Sequence, residues 1–189
     1  MAVNIILERL RAGDLRTDGA ANEVVRDVLA HRGFFELLWE GLNAEDDPLR
    51  GHTADALEKV SRAEPEWFLP IVPCLIEKAL QDRVAMVRWH LAMILGTLAA
   101  LGHQTEDIVA ALFELLSDRS AFVKSWAIAS LALIGREHPE LCGEIIPQVG
   151  SLLNDRSMAV RVRASKALAS LEGRAEMPEG WVKCQALRR

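Results

Sequence analysis

Apolar residues recur at helical spacing in four stretches of the chain, and the stretches follow one another at a nearly constant interval. Counted from a basic residue in each stretch, positions −1, +7 and +10 are apolar in all four, and position +3 is apolar in the last three. Offsets of this kind mark one face of an α-helix. The basic residues lie 38, 36 and 37 residues apart: Arg50, Arg88, Lys124 and Arg161. The pattern predicts helices over about 48–63, 84–101, 120–136 and 157–172.

A short phrase precedes three of these helices and repeats with the same interval. It begins with an aspartate that arginine follows at once, and the basic residue of the helix stands six positions after the aspartate. The aspartates are Asp82, Asp118 and Asp155, which lie 36 and 37 residues apart. A fixed period of this length is typical of an array of paired helices.

The residues between these helices predict a partner helix for each of them. Pro65 and Pro139 stand two periods apart, and proline is favoured at the first helical position, where its missing N–H costs nothing. Nothing alternates with period two, so we predict no strand. We expect one domain with a helical cap or degenerate repeat over 1–32, helix pairs over 33–63, 64–101, 105–136 and 139–172, and a tail or capping helix over 174–189.

The pattern resembles the HEAT repeat family, including the short bacterial HEAT-like repeats of the phycobilisome-lyase type. Pro147, Asp155 and Arg161 stand where that family has a proline in the first helix, an aspartate at the turn and an arginine six residues later. The resemblance covers about 33–172, although Ala110 replaces the proline of one repeat. It implies an all-α fold, a right-handed, armadillo-like α-solenoid of stacked antiparallel helix pairs. It implies little about activity.

The repeated acids and bases are interpreted as a structural ladder. An acid at one turn can pair with the base of the same repeat or of the next one, and can also accept hydrogen bonds from the backbone there. A catalytic group need occur only once, whereas these residues recur at each turn: Asp82, Arg88, Asp118, Lys124, Asp155 and Arg161.

Candidate binding residues follow from the helical register. Offsets +1, +2, +5 and +9 point away from the apolar face, and in helical solenoids the second helices line the concave side. The candidates for partner binding on that side are Trp89, His90, Met93, Trp126, Arg163 and Lys166. The two tryptophans are either exposed anchors or fillers of the crevice between neighbouring helices. His90 is interpreted as a partner or crevice contact, because no second metal ligand lies one turn away.

Charge and cysteine content narrow the class of partner and the compartment. The net charge of −5 argues against a general nucleic-acid binder. Bases outnumber acids eight to three over 156–189, which either steers an acidic partner or is an ordinary solvated surface. The three cysteines lie far apart and suggest unpaired thiols in a reducing cytosol, hence a cytoplasmic protein. No apolar run is long enough to span a membrane.

The expected function is that of a non-catalytic scaffold or adaptor that binds a segment of a protein partner. The sequence contains no Gly-rich phosphate loop, no nucleophile elbow and no zinc-protease motif, and we expect no catalytic residue, metal or cofactor. The family resemblance suggests two alternatives. One is a DNA-binding protein or alkylbase DNA glycosylase, with Trp89 and Trp126 as the aromatic residues and Asp55 as the acid. The other is a bilin-lyase-like or cofactor-assembly accessory protein.

Overall fold

The regular structure of the chain is helical throughout the part that the computed structural model describes, residues 5–11 and 20–188. No strand occurs in those two ranges. The α-helices are α1 (Ile5–Leu10), α2 (Ala21–Ala30), α3 (Phe34–Trp39), α4 (Asp47–Ser61), α5 (Val72–Gln81), α6 (Ala85–Ala100), α7 (Thr105–Leu115), α8 (Ala121–Glu137), α9 (Cys142–Gly150) and α10 (Met158–Leu171). Short 3-10 helices cover Glu40–Asn43, Pro65–Ile71, Pro139–Leu141, Ser151–Asn154 and Gln185–Leu187.

Helices α4, α6, α8 and α10 lie where the apolar pattern predicted them, with ends that agree within two residues. Their predicted apolar face is buried, as Val87, Leu91 and Leu95 of α6 illustrate. The four helices pack in chain order, α4 against α6, α6 against α8 and α8 against α10. Each shorter helix packs against the long helix that follows it: α5 against α6, α7 against α8 and α9 against α10.

The partner helices begin later than their prolines suggested. The segment after Pro65 forms a 3-10 helix, and α5 starts only at Val72. Pro70 and Pro73 lie at this junction and carry no backbone N–H, so a continuous α-helix would lack two of its hydrogen bonds there. Pro139 likewise starts a short 3-10 turn before α9.

The N-terminal helices cover the free side of α4. Helices α1, α2 and α3 all contact α4, and the Leu10 carbonyl accepts a hydrogen bond of 2.8 Å from Nδ1 of the buried His52. Residues 1–4 and 12–19 of the predicted N-terminal cap lie outside the described residues. None of the helices in the described ranges is long and apolar enough to cross a membrane.

Helices α6 and α8 approach each other closely where two small residues face one another. A Cβ atom placed on Gly96 would lie 2.3 Å from Cβ of Ser130, whose hydroxyl donates to the Ala92 carbonyl over 2.9 Å. Two carbon atoms cannot approach so closely, so only glycine fits this position. The pair therefore sets the distance between the two central helices.

We predict that Gly96→Ala lowers the free energy of unfolding by about 1–3 kcal/mol, because the added methyl group forces α6 and α8 apart. Chemical denaturation followed by circular dichroism measures the change. Gly143→Ala is the matched control, since Gly143 is a helical glycine with open space around its Cα. Equal stability of the two variants would contradict the close contact.

Candidate functional site

The acids and bases of the ladder pair between successive turns of the array. Nε of Arg50 lies 3.0 Å from Oδ2 of Asp82, and Nε of Arg88 lies 2.7 Å from Oδ2 of Asp118. Lys124 pairs in the same way with Asp155. Of the two pairings that the sequence left open, Arg50, Arg88 and Lys124 adopt the one with the acid of the next phrase, and Arg50 also pairs with Asp47 in its own helix.

Each of these aspartates also accepts a hydrogen bond from the backbone at the start of the next helix. Oδ1 of Asp82 accepts from the Val84 amide over 2.7 Å, and Oδ1 of Asp118 accepts from the Ser120 amide over 2.6 Å. Asp155 accepts from Ser157 over 2.8 Å. Each of these aspartates therefore fixes the backbone of the turn in which it stands. Its ion pair also ties that turn to the preceding long helix.

The predicted row of binding residues is more buried than the helical register suggested. His90 and Met93 are buried, Trp89, Trp126 and Arg163 are partly exposed, and Lys166 is exposed. On this face, His90 and Met93 are therefore not open to solvent. Burial has two causes: neighbouring long helices pack on both sides, and the C-terminal part of the chain lies on this face.

Residues 178–188, which we call the C-terminal segment, run from α10 back to the end of α4. The Gln185 amide donates to the Arg62 carbonyl over 3.0 Å, and a guanidinium N–H of Arg136 donates to the Leu187 carbonyl over 3.1 Å. Cys184 is buried, as is Leu187. The sequence offered a tail or a capping helix here, and the structure has only a 3-10 turn at Gln185–Leu187.

Trp126 lies at the centre of a stack of cationic and aromatic groups. The Arg163 guanidinium is 4.8 Å from the Trp126 ring centroid and 5.0 Å from that of Trp181. Nζ of Lys183 is 4.7 Å from the Trp126 centroid. Burial lowers the pKa of Arg163, and its buried Nη1 has no hydrogen-bond partner among the described residues.

His90 is held in one orientation by three neighbours. Its Nδ1 lies 2.9 Å from the Met86 carbonyl, which can only accept, so the hydrogen-bond network assigns the ring proton to Nδ1. Nε2 accepts from the Trp89 indole over 3.2 Å and lies 3.4 Å from a carboxylate oxygen of Asp55. Burial lowers the pKa of His90, against the opposing effect of the acids Asp55 and Glu58.

Exposed apolar side chains lie on neighbouring long helices and include residues that the register analysis missed. Two of them, Met158 and Val162, line a surface depression together with Trp181 of the C-terminal segment. Phe122 is 64% exposed, Met158 65% and Val162 46%. The Phe122 ring centroid lies 5.1 Å from that of Trp89. We call this surface the apolar stripe; its members sit in the first two turns of α6, α8 and α10: Met86, Trp89, Phe122, Met158 and Val162.

The charges around the apolar stripe are basic. The first turns of α6, α8 and α10 contain no acid. Arg119, Arg156 and Lys166 are exposed and form no ion pair within the described residues. Lys166 lines the same surface depression as Met158 and Val162, so this part of the stripe places a cation beside apolar side chains.

The comparison with known proteins adds no relative. No family model matches the sequence, and a comparison with curated proteins also finds no match. In the described ranges, no three histidine, cysteine, aspartate or glutamate side chains lie close enough together to hold a metal ion.

We predict that Asp118→Ala lowers the free energy of unfolding by about 1–3 kcal/mol, because Arg88 and the Ser120 amide then lose their acceptor. Urea denaturation measures the loss. Glu114→Ala is the control, since Glu114 is an exposed acid on the neighbouring helix α7. If both variants unfold at the same urea concentration, the acid contributes nothing to the fold.

We also predict that the difference in unfolding free energy between the native protein and Asp155→Asn depends on pH. Lys124 holds the pKa of the Asp155 carboxyl below its ordinary value, which lies near 3.9 in an unfolded chain. The ionised pair therefore stabilises the fold fully above about pH 5, and its contribution disappears as the pH falls through the lowered pKa. Unfolding free energies of both proteins between pH 7 and pH 2 measure the effect. A difference that stays constant over this range would exclude it.

Proposed function

We propose that this chain is a non-catalytic interaction module that binds a segment of a partner protein on the face of its long helices. In this proposal the helix pairs form a HEAT-like, right-handed α-solenoid and the protein is cytoplasmic. Two observations support the solenoid: the long helices pack in chain order, and the ion pairs join each turn to the next.

The single observation that carries the proposal is the apolar stripe. Large apolar side chains at 46–65% exposure on two neighbouring helices, with Trp89 against Phe122, leave apolar area in contact with water. Contiguous apolar area on a surface commonly marks a site of association, because its removal from water is favourable. Flat aromatic groups and methionine are enriched at such sites.

The bases at the edge of the apolar stripe indicate the charge of the partner. Lys166 is exposed, and the partly exposed Arg163 places its guanidinium near the Trp126 and Trp181 rings. An acidic group beside an apolar side chain would complement this edge, and such pairs speed association at low salt. The partner segment is therefore expected to be acidic and amphipathic.

The described residues support the alternatives from the family resemblance less well. Asp55, the candidate acid of a glycosylase, is buried and pairs with Lys59 over 2.8 Å. Trp126 is covered by Arg163 and Lys183, which leaves it no open face for a base. No observation favours a bilin-lyase-like or cofactor-assembly role.

The proposal predicts which peptides are enriched when a random library of displayed 16-residue peptides is selected for binding to the full chain. The enriched peptides should combine acids with bulky apolar residues. Phe122→Ser should weaken their binding at least tenfold, since Phe122 loses its contact area. Lys166→Glu should mainly slow association and reduce its dependence on salt. Surface plasmon resonance at two salt concentrations measures both effects.

Leu29→Ser is the matched control for this test. Leu29 is an exposed apolar residue of α2, remote in sequence from the stripe, and its change should leave peptide affinity unaltered. Enrichment of basic peptides, equal effects of the Phe122 and Leu29 changes, or a failure to enrich any peptide would refute the proposal.

A further inference from the structure

The C-terminal segment lies in a groove whose chemistry differs from that of the apolar stripe. The groove is formed by α4, α6 and α8, and its lining is partly polar: Glu58, Met93, Thr97, Trp126, Ser130 and Leu133. Glu58 is buried and pairs with Arg62 at the end of α4. The groove is thus a polar and aromatic depression beside a basic and apolar surface.

The segment occupies this groove in the way that an extended peptide ligand occupies a receptor. Trp181 and Lys183 contact the Arg163 and Trp126 stack, and Cys184 and Leu187 are buried. Gln185, Ala186 and Arg188 between and beyond these anchors are exposed. One main-chain hydrogen bond joins the segment to α4, and one side-chain hydrogen bond joins it to α8. Recognition therefore rests on a few side chains at fixed spacing.

The contact between the segment and the groove depends on a charged side chain. Lys183 is half-buried above Trp126 without an ion-pair partner within the described residues, and burial lowers its pKa. The face of the Trp126 ring attracts the ammonium, and the acids Glu58 and Asp55 favour its charged form. A basic residue at this position is therefore part of what the groove recognises.

We propose that the groove is a second peptide-binding site, which the chain's own C-terminal segment occupies as an internal ligand. The ligand class follows from the anchors: an extended peptide with an aromatic residue, a base two positions later, a small apolar residue next and an aliphatic residue three positions after that. In this chain those anchors are Trp181, Lys183, Cys184 and Leu187. The groove adjoins the apolar stripe and shares Arg163 with its edge, but its ligand is basic where that of the stripe is acidic.

Tethering makes the internal segment a strong competitor. A segment attached by a short linker has an effective concentration of the order of millimolar at its own site, so a free peptide of equal affinity binds only when the segment leaves. The segment begins with a turn at Pro178, where Gly180 adopts φ of +84°, a conformation that glycine allows. A partner with the same anchor pattern would therefore displace the segment and release the C-terminus of the chain.

The test uses the full chain and a fluorescent peptide of residues 176–188 in reducing buffer. The variant tested carries Trp181→Ala and Leu187→Ala, which weaken the binding of the internal segment to the groove. The peptide should bind this variant at least tenfold more tightly than the native chain, because the competitor is weakened. Trp126→Ala in the same background should lower peptide affinity at least tenfold, as should Lys183→Glu within the peptide. Fluorescence anisotropy measures all four affinities.

Two controls keep the test decisive. Phe122→Ser in the weakened background changes the apolar stripe and should leave the affinity for this peptide unaltered, so the result is separate from that of the peptide selection. If the double variant loses helix by circular dichroism, Leu187→Ala alone replaces it. On the unmodified chain, excess peptide should also accelerate hydrogen exchange of the Gln185 amide, which the Arg62 carbonyl now protects.

The proposal fails if the peptide does not bind a folded variant with a weakened segment. It also fails if the peptide binds the native chain and the variant equally, since it would then bind elsewhere. A dimer formed by exchange of segments between two copies would support the proposal if Trp126→Ala abolishes it, because the groove would then accept the same sequence from another molecule.

Discussion

The pairing of each basic residue with the aspartate of the following phrase is the interaction on which the arrangement of the long helices depends. Packing of apolar faces holds neighbouring helices together but tolerates sliding and rotation, since it has no direction. A carboxylate that accepts from a guanidinium and from a backbone amide specifies a direction. Arg88 and Asp118 thereby fix the start of α8 against the start of α6. The side chains that share one face of the array owe their alignment to this register.

The helices could be predicted from the sequence because their signal is local. Apolar offsets within one helix determine its buried face, so α4, α6, α8 and α10 were located within two residues. The surface of those helices could not be predicted in the same way. Whether His90 or Met93 meets water depends on the C-terminal segment, which lies about ninety residues further along the chain. Helical periodicity contains no information about such a distant contact.

Two residues of the apolar stripe show a different reason for failure. Phe122 and Met158 precede the basic residue of their helices by two and three positions, whereas the offsets used to select candidate binding residues all follow it. Both residues stand in the repeated phrase. A bulky apolar residue at the exposed start of a helix was the feature of the sequence that could have identified them as candidates. The sequence could not decide whether each base pairs with the acid of its own repeat or of the next one, and the reason is geometric. The reach of Arg50 to Asp82 depends on the distance between helices, and sequence spacing does not give that distance.

The last base of the ladder shows how the number of repeated units in this protein can change. Arg161 donates to the Asp155 and Arg156 carbonyls but meets no carboxylate among the described residues, unlike Arg50, Arg88 and Lys124. Each unit of the array supplies an acid to the unit before it and a base to the unit after it. Duplication or deletion of one whole internal unit therefore leaves each internal acid and base with a partner of the opposite charge. Tandem gene duplication can lengthen such a chain without any compensating substitution in the ion pairs.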